Sequence, residues 1–119
     1  MAPGSRIILF STSLVTSSTI TPNYLIYVAS KGAVEQLVHV LSKDLFRKGI
    51  TVNAIAPGPT GTDLFYQGKS EGVLKMIAGF SPAGRIGTPD EIAGAVAFLS
   101  GEDGRWVSGQ ILRVNGGMC

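Results

Sequence analysis

The stretch Arg6-Ile-Ile-Leu-Phe10 decides the fold, because its last four residues form a continuous apolar run. Strands of parallel sheets are covered on both faces and have this pattern, whereas half-exposed strands alternate apolar and polar residues. The run ends at the hydroxyl-bearing residues Ser11-Thr-Ser13. Ligands of open α/β sheets bind at the carboxyl ends of strands. These hydroxyls are therefore the first candidate site residues.

A long amphipathic helix is predicted after this strand, from Tyr24 to Lys48, with Gly49 as its C-cap. Its main apolar stripe is Val34, Leu37, Val38, Leu41 and Leu45. Ala33, Val40 and Phe46 widen the apolar surface beyond what one sheet face requires. The sequence therefore predicts a homo-oligomer formed through the 24–48 helix.

A second buried strand is predicted at Ile50–Ile55, followed by the loop Ala56–Asp63. Two prolines and two glycines in this loop oppose helix formation, and its place after a strand predicts a ligand loop at the same sheet edge. Residues 64–80 contain helical fragments interrupted by glycines, which is typical of a flap.

The last predicted elements are a helix from Thr88 to Gly101 and a short strand at Gln110–Val114. Thr88-Pro-Asp-Glu91 contains an N-cap, a proline at the first helical position and the Glu of a capping box. The order is β-α-β-α-β, and long helical crossovers require parallel strands. The fold class is therefore α/β with a parallel sheet, in a single domain over residues 1–119.

Composition excludes several function classes. The 119 residues are 45% hydrophobic and 15% charged, and the net charge of +2 comes from scattered basic residues, so no nucleic-acid surface is predicted. No apolar run approaches the ~20 residues of a membrane span, and no signal-peptide pattern is present, so a cytoplasmic location is expected. The single Cys119 is expected to have no functional role, and no metal site is predicted. Trp106 is expected to lie in the hydrophobic core.

The pair Tyr27 and Lys31 is the strongest catalytic candidate in the chain. Residues four apart lie on the same face of a helix, so the ammonium of Lys31 can act on the phenol of Tyr27. A positive neighbour favours the ionised phenolate. The pair therefore indicates a general acid/base.

In this order and at these spacings, four motifs together resemble the short-chain dehydrogenase/reductase family. They are Arg6–Ser13, Tyr27-x-x-x-Lys31, Val52-Asn53 with Pro57-Gly58-x-x-x-Thr62, and Val114-Asn-Gly-Gly117. The resemblance implies a Rossmann-like doubly wound sheet, of which this chain is the C-terminal half. It also implies hydride transfer between a nicotinamide cofactor and a small-molecule carbonyl or alcohol substrate.

The resemblance also assigns roles to individual residues. Tyr27 is similar to the family's general acid/base, and Lys31 to the residue that assists it and binds the nicotinamide ribose. Ser13 lies fourteen residues before the tyrosine, as the family's substrate-orienting serine does; counting from the strand favours Thr12 instead, with Ser11 as a weaker third. The Pro57-Gly58 loop resembles the segment that holds the carboxamide near Thr60, with Thr62 contributing a hydroxyl.

Two expectations follow about cofactor and completeness. Phe10–Ser13 and Gly61–Phe65 are most similar to NADPH-dependent aldehyde and carbonyl reductases, so NADP(H) is expected rather than NAD(H). No G-x-G-x-x-G phosphate loop occurs in the chain, so the glycine-rich half of the fold is expected to be missing. The alternative is that these 119 residues form a catalytically incompetent fragment, or a binding or dimerisation module.

Overall fold

The computed structural model describes all residues from 1 to 119 and contains three strands and four α-helices. The strands are β1 (Arg6–Phe10), β2 (Thr51–Pro57) and β3 (Ile111–Val114). The helices are α1 (Leu25–Leu45), α2 (Asp63–Tyr66), α3 (Glu71–Ala78) and α4 (Pro89–Ser100). Short 3-10 turns occupy residues 13–16, 22–24, 46–48 and 102–104. The predicted alternation of strands and helices is confirmed.

The sheet is parallel and has the order β1-β2-β3. Arg6 lies opposite Thr51 and Phe10 opposite Ile55, while Pro57 lies opposite Val114. Because every strand runs the same way, the segments that follow them converge at one edge of the sheet. The predicted parallel pairing is confirmed, and β2 extends two residues beyond the predicted strand.

The core lies between α1 and one face of the sheet. Val38 of α1 packs with Val52 and Ala54 of β2, which point to the same face because successive strand residues alternate. Ile7, Leu9, Leu45 and Ile111 surround this cluster. The second long helix, α4, contacts all three strands.

Local sequence signals place the start of α4 correctly, but α1 ends at Leu45, three residues before the predicted Lys48, and a 3-10 turn at Phe46–Lys48 completes the segment. Gly49 has a φ of 72°, the left-handed conformation expected of a glycine C-cap. Thr88 and Glu91 form the predicted capping box at the start of α4.

None of the helices combines the length and the apolar character that a bilayer crossing requires.

One burial prediction is wrong. Trp106 is 84% exposed and forms a T-shaped pair with Phe46, with ring centroids 5.6 Å apart. The indole therefore lies on the surface, beside the amino ends of the strands, and the core is built without it.

Candidate active site

The carboxyl ends of the three strands bring the candidate residues together. Ser11, Thr12 and Ser13 follow β1, the Pro57–Thr62 loop completes β2, and Asn115 follows β3. The main chain continues the sheet for one residue after β1, since the Ser11 N–H donates to the carbonyl of Ile55 over 2.8 Å. The loops that carry the site are therefore fixed to a rigid sheet edge.

Tyr27 and Lys31 lie in the first two turns of α1, which begin beside this edge. The ammonium of Lys31 donates a hydrogen bond of 2.9 Å to the carbonyl of Phe10, the last residue of β1. Its Nζ lies 5.8 Å from the centroid of the Tyr27 ring. The phenol is 46% exposed and its hydroxyl has no partner in the chain, so it is accessible to a substrate.

The three hydroxyls after β1 have different hydrogen bonds. Ser11 donates to a carboxylate oxygen of Glu35 over 2.6 Å, which ties the strand end to α1. Ser13 is buried and donates to the carbonyl of Ala56 over 2.9 Å. Thr12 caps the following 3-10 turn by accepting from the N–H of Leu14, and its own proton is not donated within the chain.

Asn115 is a residue of this site to which sequence reasoning gave no role. Its side-chain amide donates 3.0 Å hydrogen bonds to the hydroxyl of Ser13 and to the carbonyl of Cys119. The Ser13 hydroxyl therefore joins the ends of β1, β2 and β3 through Ala56 and Asn115. Cys119 lies against the same cluster, with its thiol 3.4 Å from the carbonyl of Ser13, so it is not remote from the site. The Val114-Asn-Gly-Gly117 motif was the available signal.

The loop after β2 is held close to β3. The N–H of Gly58 donates to the carbonyl of Val114 over 2.9 Å. A Cβ on Gly58 would lie 2.8 Å from the Cα of Asn115, so only glycine fits there. Thr60 donates its hydroxyl to the carbonyl of Gly58 over 2.9 Å, and Thr62 caps α2 by accepting from the N–H of Phe65.

The loop after β2 also pairs through its backbone with the segment that precedes α4. The N–H of Gly61 donates to the carbonyl of Gly87 over 2.8 Å, and the N–H of Gly87 donates to the carbonyl of Pro59 over 2.9 Å. These bonds form a parallel bridge between Thr60 and Gly87. Nearby, the guanidinium of Arg85 donates to both carboxylate oxygens of Glu91, over 2.9 and 2.6 Å. The hydrogen bonds from Arg85 and from the N–H of Thr88 lower the pKa of Glu91 to about 2.

Comparison with known proteins identifies relatives across the whole chain. The family model described as enoyl-(acyl carrier protein) reductase matches residues 1–119. Two proteins of Arabidopsis thaliana are similar: a chloroplastic NADPH-dependent aldehyde reductase-like protein at 46% identity and chloroplastic NADPH-dependent aldehyde reductase 2 at 45%. Each match covers 96% of this chain but only 42% and 41% of the respective relative.

Solved structures are likewise similar over nearly the whole of this chain. The angucycline C-6 ketoreductase LanV with bound NADP has a TM-score of 0.88 at 38% identity, covering 99% of this chain and 45% of that chain. A blue fluorescent protein from a metagenomic library, in complex with NADPH, has a TM-score of 0.91 at 34% identity, covering 100% and 47%. The chain thus spans less than half the length of these relatives.

Proposed function

Because this chain belongs to the short-chain dehydrogenase/reductase family, we propose that it carries the proton-delivering part of an NADPH-dependent carbonyl reductase. The observation that carries the proposal is the hydrogen bond from Lys31 to the Phe10 carbonyl, which holds the start of α1 at the edge where the strands end. Tyr27, one turn earlier, is exposed beside that edge.

The donors at this edge fit the nicotinamide end of the cofactor. The phenol of Tyr27 and the two ammonium protons of Lys31 that do not bind Phe10 are suited to ribose hydroxyls and a substrate oxygen. We propose that Pro57, Gly58, Thr60 and Thr62 line the carboxamide side, on a loop that packs against Asn115 because Gly58 has no side chain. No residue of this chain is assigned to the cofactor phosphates.

In the proposed mechanism the chain positions the carbonyl and supplies its proton. When bound, NADPH would supply the hydride for the carbonyl carbon. Tyr27 donates its hydroxyl proton to the carbonyl oxygen, and Lys31 compensates the negative charge left on the phenolate. A hydroxyl after β1 orients the same oxygen; Ser13 has the family spacing, and Thr12 has the proton that is not donated within the chain.

Tyr27→Phe tests the proposal in the protein that carries this chain. Removing the hydroxyl leaves the ring in place and should lower turnover by about 10² to 10⁴, the range typical of general acid–base catalysis. The measurement is NADPH consumption with a panel of aldehydes and ketones, and thermal unfolding checks that the fold is unchanged.

Tyr24→Phe is the matched control, because Tyr24 is also exposed and lies three residues earlier. It should retain wild-type turnover. Full activity of the Tyr27→Phe protein would remove Tyr27 from the mechanism, and the absence of any NADPH consumption by the wild type would remove the reductase assignment.

A second candidate function is favoured by the apolar residues that remain exposed on the outer face of α1. We propose, as this alternative, that residues 1–119 alone act as a binding or dimerisation module. A fluorescence titration of the purified 119-residue chain with NADPH tests this alternative: saturable binding would contradict a module without a cofactor site, and no change would agree with it.

The surface proposed for association is the outer face of α1. Leu37 and Val40 are 52% and 68% exposed, and Leu41 is partly exposed beside them. Burial of such side chains stabilises an interface by about 25 cal/mol per Å² of apolar area. We propose a homo-oligomer through this face, in the cytoplasm; the two Arabidopsis relatives are named chloroplastic, so cell fractionation is the test of location.

A further inference from the structure

A second recess lies at the opposite end of the sheet from the candidate active site. It is lined by the first residues of two strands, Arg6 and Thr51, and by Arg105 and Trp106 from the segment after α4. Its volume is about 560 Å³, within the roughly 300–1,000 Å³ of small-molecule sites. The seven residues of β2 separate it from the site edge by roughly 20 Å.

Two residues that line this recess carry the two buried polar side-chain atoms of the chain that have no hydrogen-bond partner. They are Nε of Arg6 and Oγ1 of Thr51. Thr51 is 1% exposed, and the two residues lie opposite each other in the sheet register. Buried polar groups are nearly always satisfied, and leaving one unpaired is unfavourable. Both atoms lie beneath the surface of the recess, so they add polar character to its lining but are not themselves within reach of a ligand.

The charges around the recess favour an anion. The guanidinium of Arg105 forms no ion pair and donates only to the carbonyl of Glu102, over 3.0 Å. The Arg6 side chain is only 12% exposed, and its guanidinium donates to the carbonyl of Gly4 over 3.0 Å. It also lies 3.7 Å from the carboxylate of Glu102, which is 89% exposed, so this ion pair is weak. Asp103 also lines the recess and opposes an anion. Two weakly compensated guanidiniums offer the donor geometry that carboxylates and phosphates require.

The aromatic residues Trp106 and Phe46 indicate which group the ligand carries besides its anionic group. The Trp106 indole is 84% exposed, and Phe46 meets it in a T-shaped arrangement that holds it in place. An exposed, supported indole offers a face on which a planar ring can stack. We propose that this recess binds a small aromatic anion, with its carboxylate or phosphate on Arg105 and Arg6 and its ring on Trp106.

The test uses Trp106 itself as the reporter, because it is the sole tryptophan of the chain. Tryptophan emission is followed during titration with benzoate, phenyl phosphate and the uncharged benzamide. Saturable change with benzoate, with phenyl phosphate or with both supports the proposal, and the stronger ligand identifies the preferred anionic group. An equal response to benzamide, or no saturable response to either anion, overturns it.

Two charge variants are expected to change the affinity for the anion in opposite directions. Arg105→Gln should weaken the binding of the preferred anion about tenfold or more, because a charge-assisted hydrogen bond is lost. Asp103→Asn should tighten it several-fold, because it removes a repelling charge. Lys75→Gln, on α3, removes the same charge as Arg105→Gln at a remote position and should change nothing. Unchanged affinity in Arg105→Gln, or weaker binding in Asp103→Asn, contradicts the site.

Discussion

At the residue scale, the hydroxyls of Thr12 and Ser13 differ in what their protons do. The Ser13 proton is donated to the carbonyl of Ala56, which lies 43 residues later, and its oxygen accepts from Asn115, 102 residues later. Sequence spacing could propose both residues but could not separate them, because partners so distant in sequence are known only from the fold. The Thr12 proton is the one not already donated within the chain.

The prediction at this scale is a separation of activity from stability. Thr12→Val should lower carbonyl-reductase turnover by about 10², as loss of a donor to a reacting oxygen does, with a stability loss of about 1 kcal/mol from the missing cap. Ser13→Ala should instead destabilise the fold by about 1–3 kcal/mol, because the Ala56 and Asn115 groups lose a buried partner. Turnover and urea unfolding measure the two effects; the reverse pattern would assign the oxygen-orienting role to Ser13.

At the scale of single elements, the start of α4 was predictable because its stabilising contacts are local. Thr88 and Glu91 are three residues apart, and their capping box follows from the sequence. The bidentate pair with Arg85 did not follow, since it depends on how the preceding turn folds back. Trp106 shows the same limit: its hydrophobicity predicted burial, but the chain supplies only Phe46 to cover it.

Glu91 gives this element a defined pH dependence. Its pKa is lowered from 4.5 to about 2 in the folded chain, first by the Arg85 hydrogen bonds and then by the Thr88 N–H. A lowered carboxyl pKa means that the unfolded chain binds the proton more readily. The stabilisation is therefore complete above about pH 4.5 and is lost as the pH falls towards 2.

The expected outcome is a smaller pH dependence in Glu91→Gln. Urea midpoints of the wild type should fall between pH 5 and pH 3, and the variant should be less stable at pH 5 and lose less on acidification. Glu71→Gln is the control, because Glu71 lies at the start of α3 and forms no ion pair. Its urea midpoint should fall between pH 5 and pH 3 by as much as that of the wild type. If the urea midpoints of Glu91→Gln and of the wild type changed equally with pH, the Arg85–Glu91 ion pair would not contribute to stability.

At the scale of the whole molecule, the parallel α/β arrangement was predictable because continuous apolar runs and amphipathic crossovers determine it. Only 14 of 119 residues are buried, and the radius of gyration is 15.5 Å, against about 13.5 Å for a compact domain of this length. Apolar patterning indicates which residues prefer burial, but the number and position of neighbouring elements decide whether they are covered.

This incomplete coverage makes association through α1 a testable property of the whole molecule. If a second copy covers Leu37 and Val40, the folded state is stabilised by association, and the thermal midpoint should rise with protein concentration. Val40→Glu should remove that dependence and shift sedimentation to the monomer, because a carboxylate would be buried without a partner. Met76→Glu, at a 60% exposed position on α3, is the matched control and should leave both unchanged. A wild type that sediments as a monomer, with a midpoint independent of concentration, would contradict the oligomer.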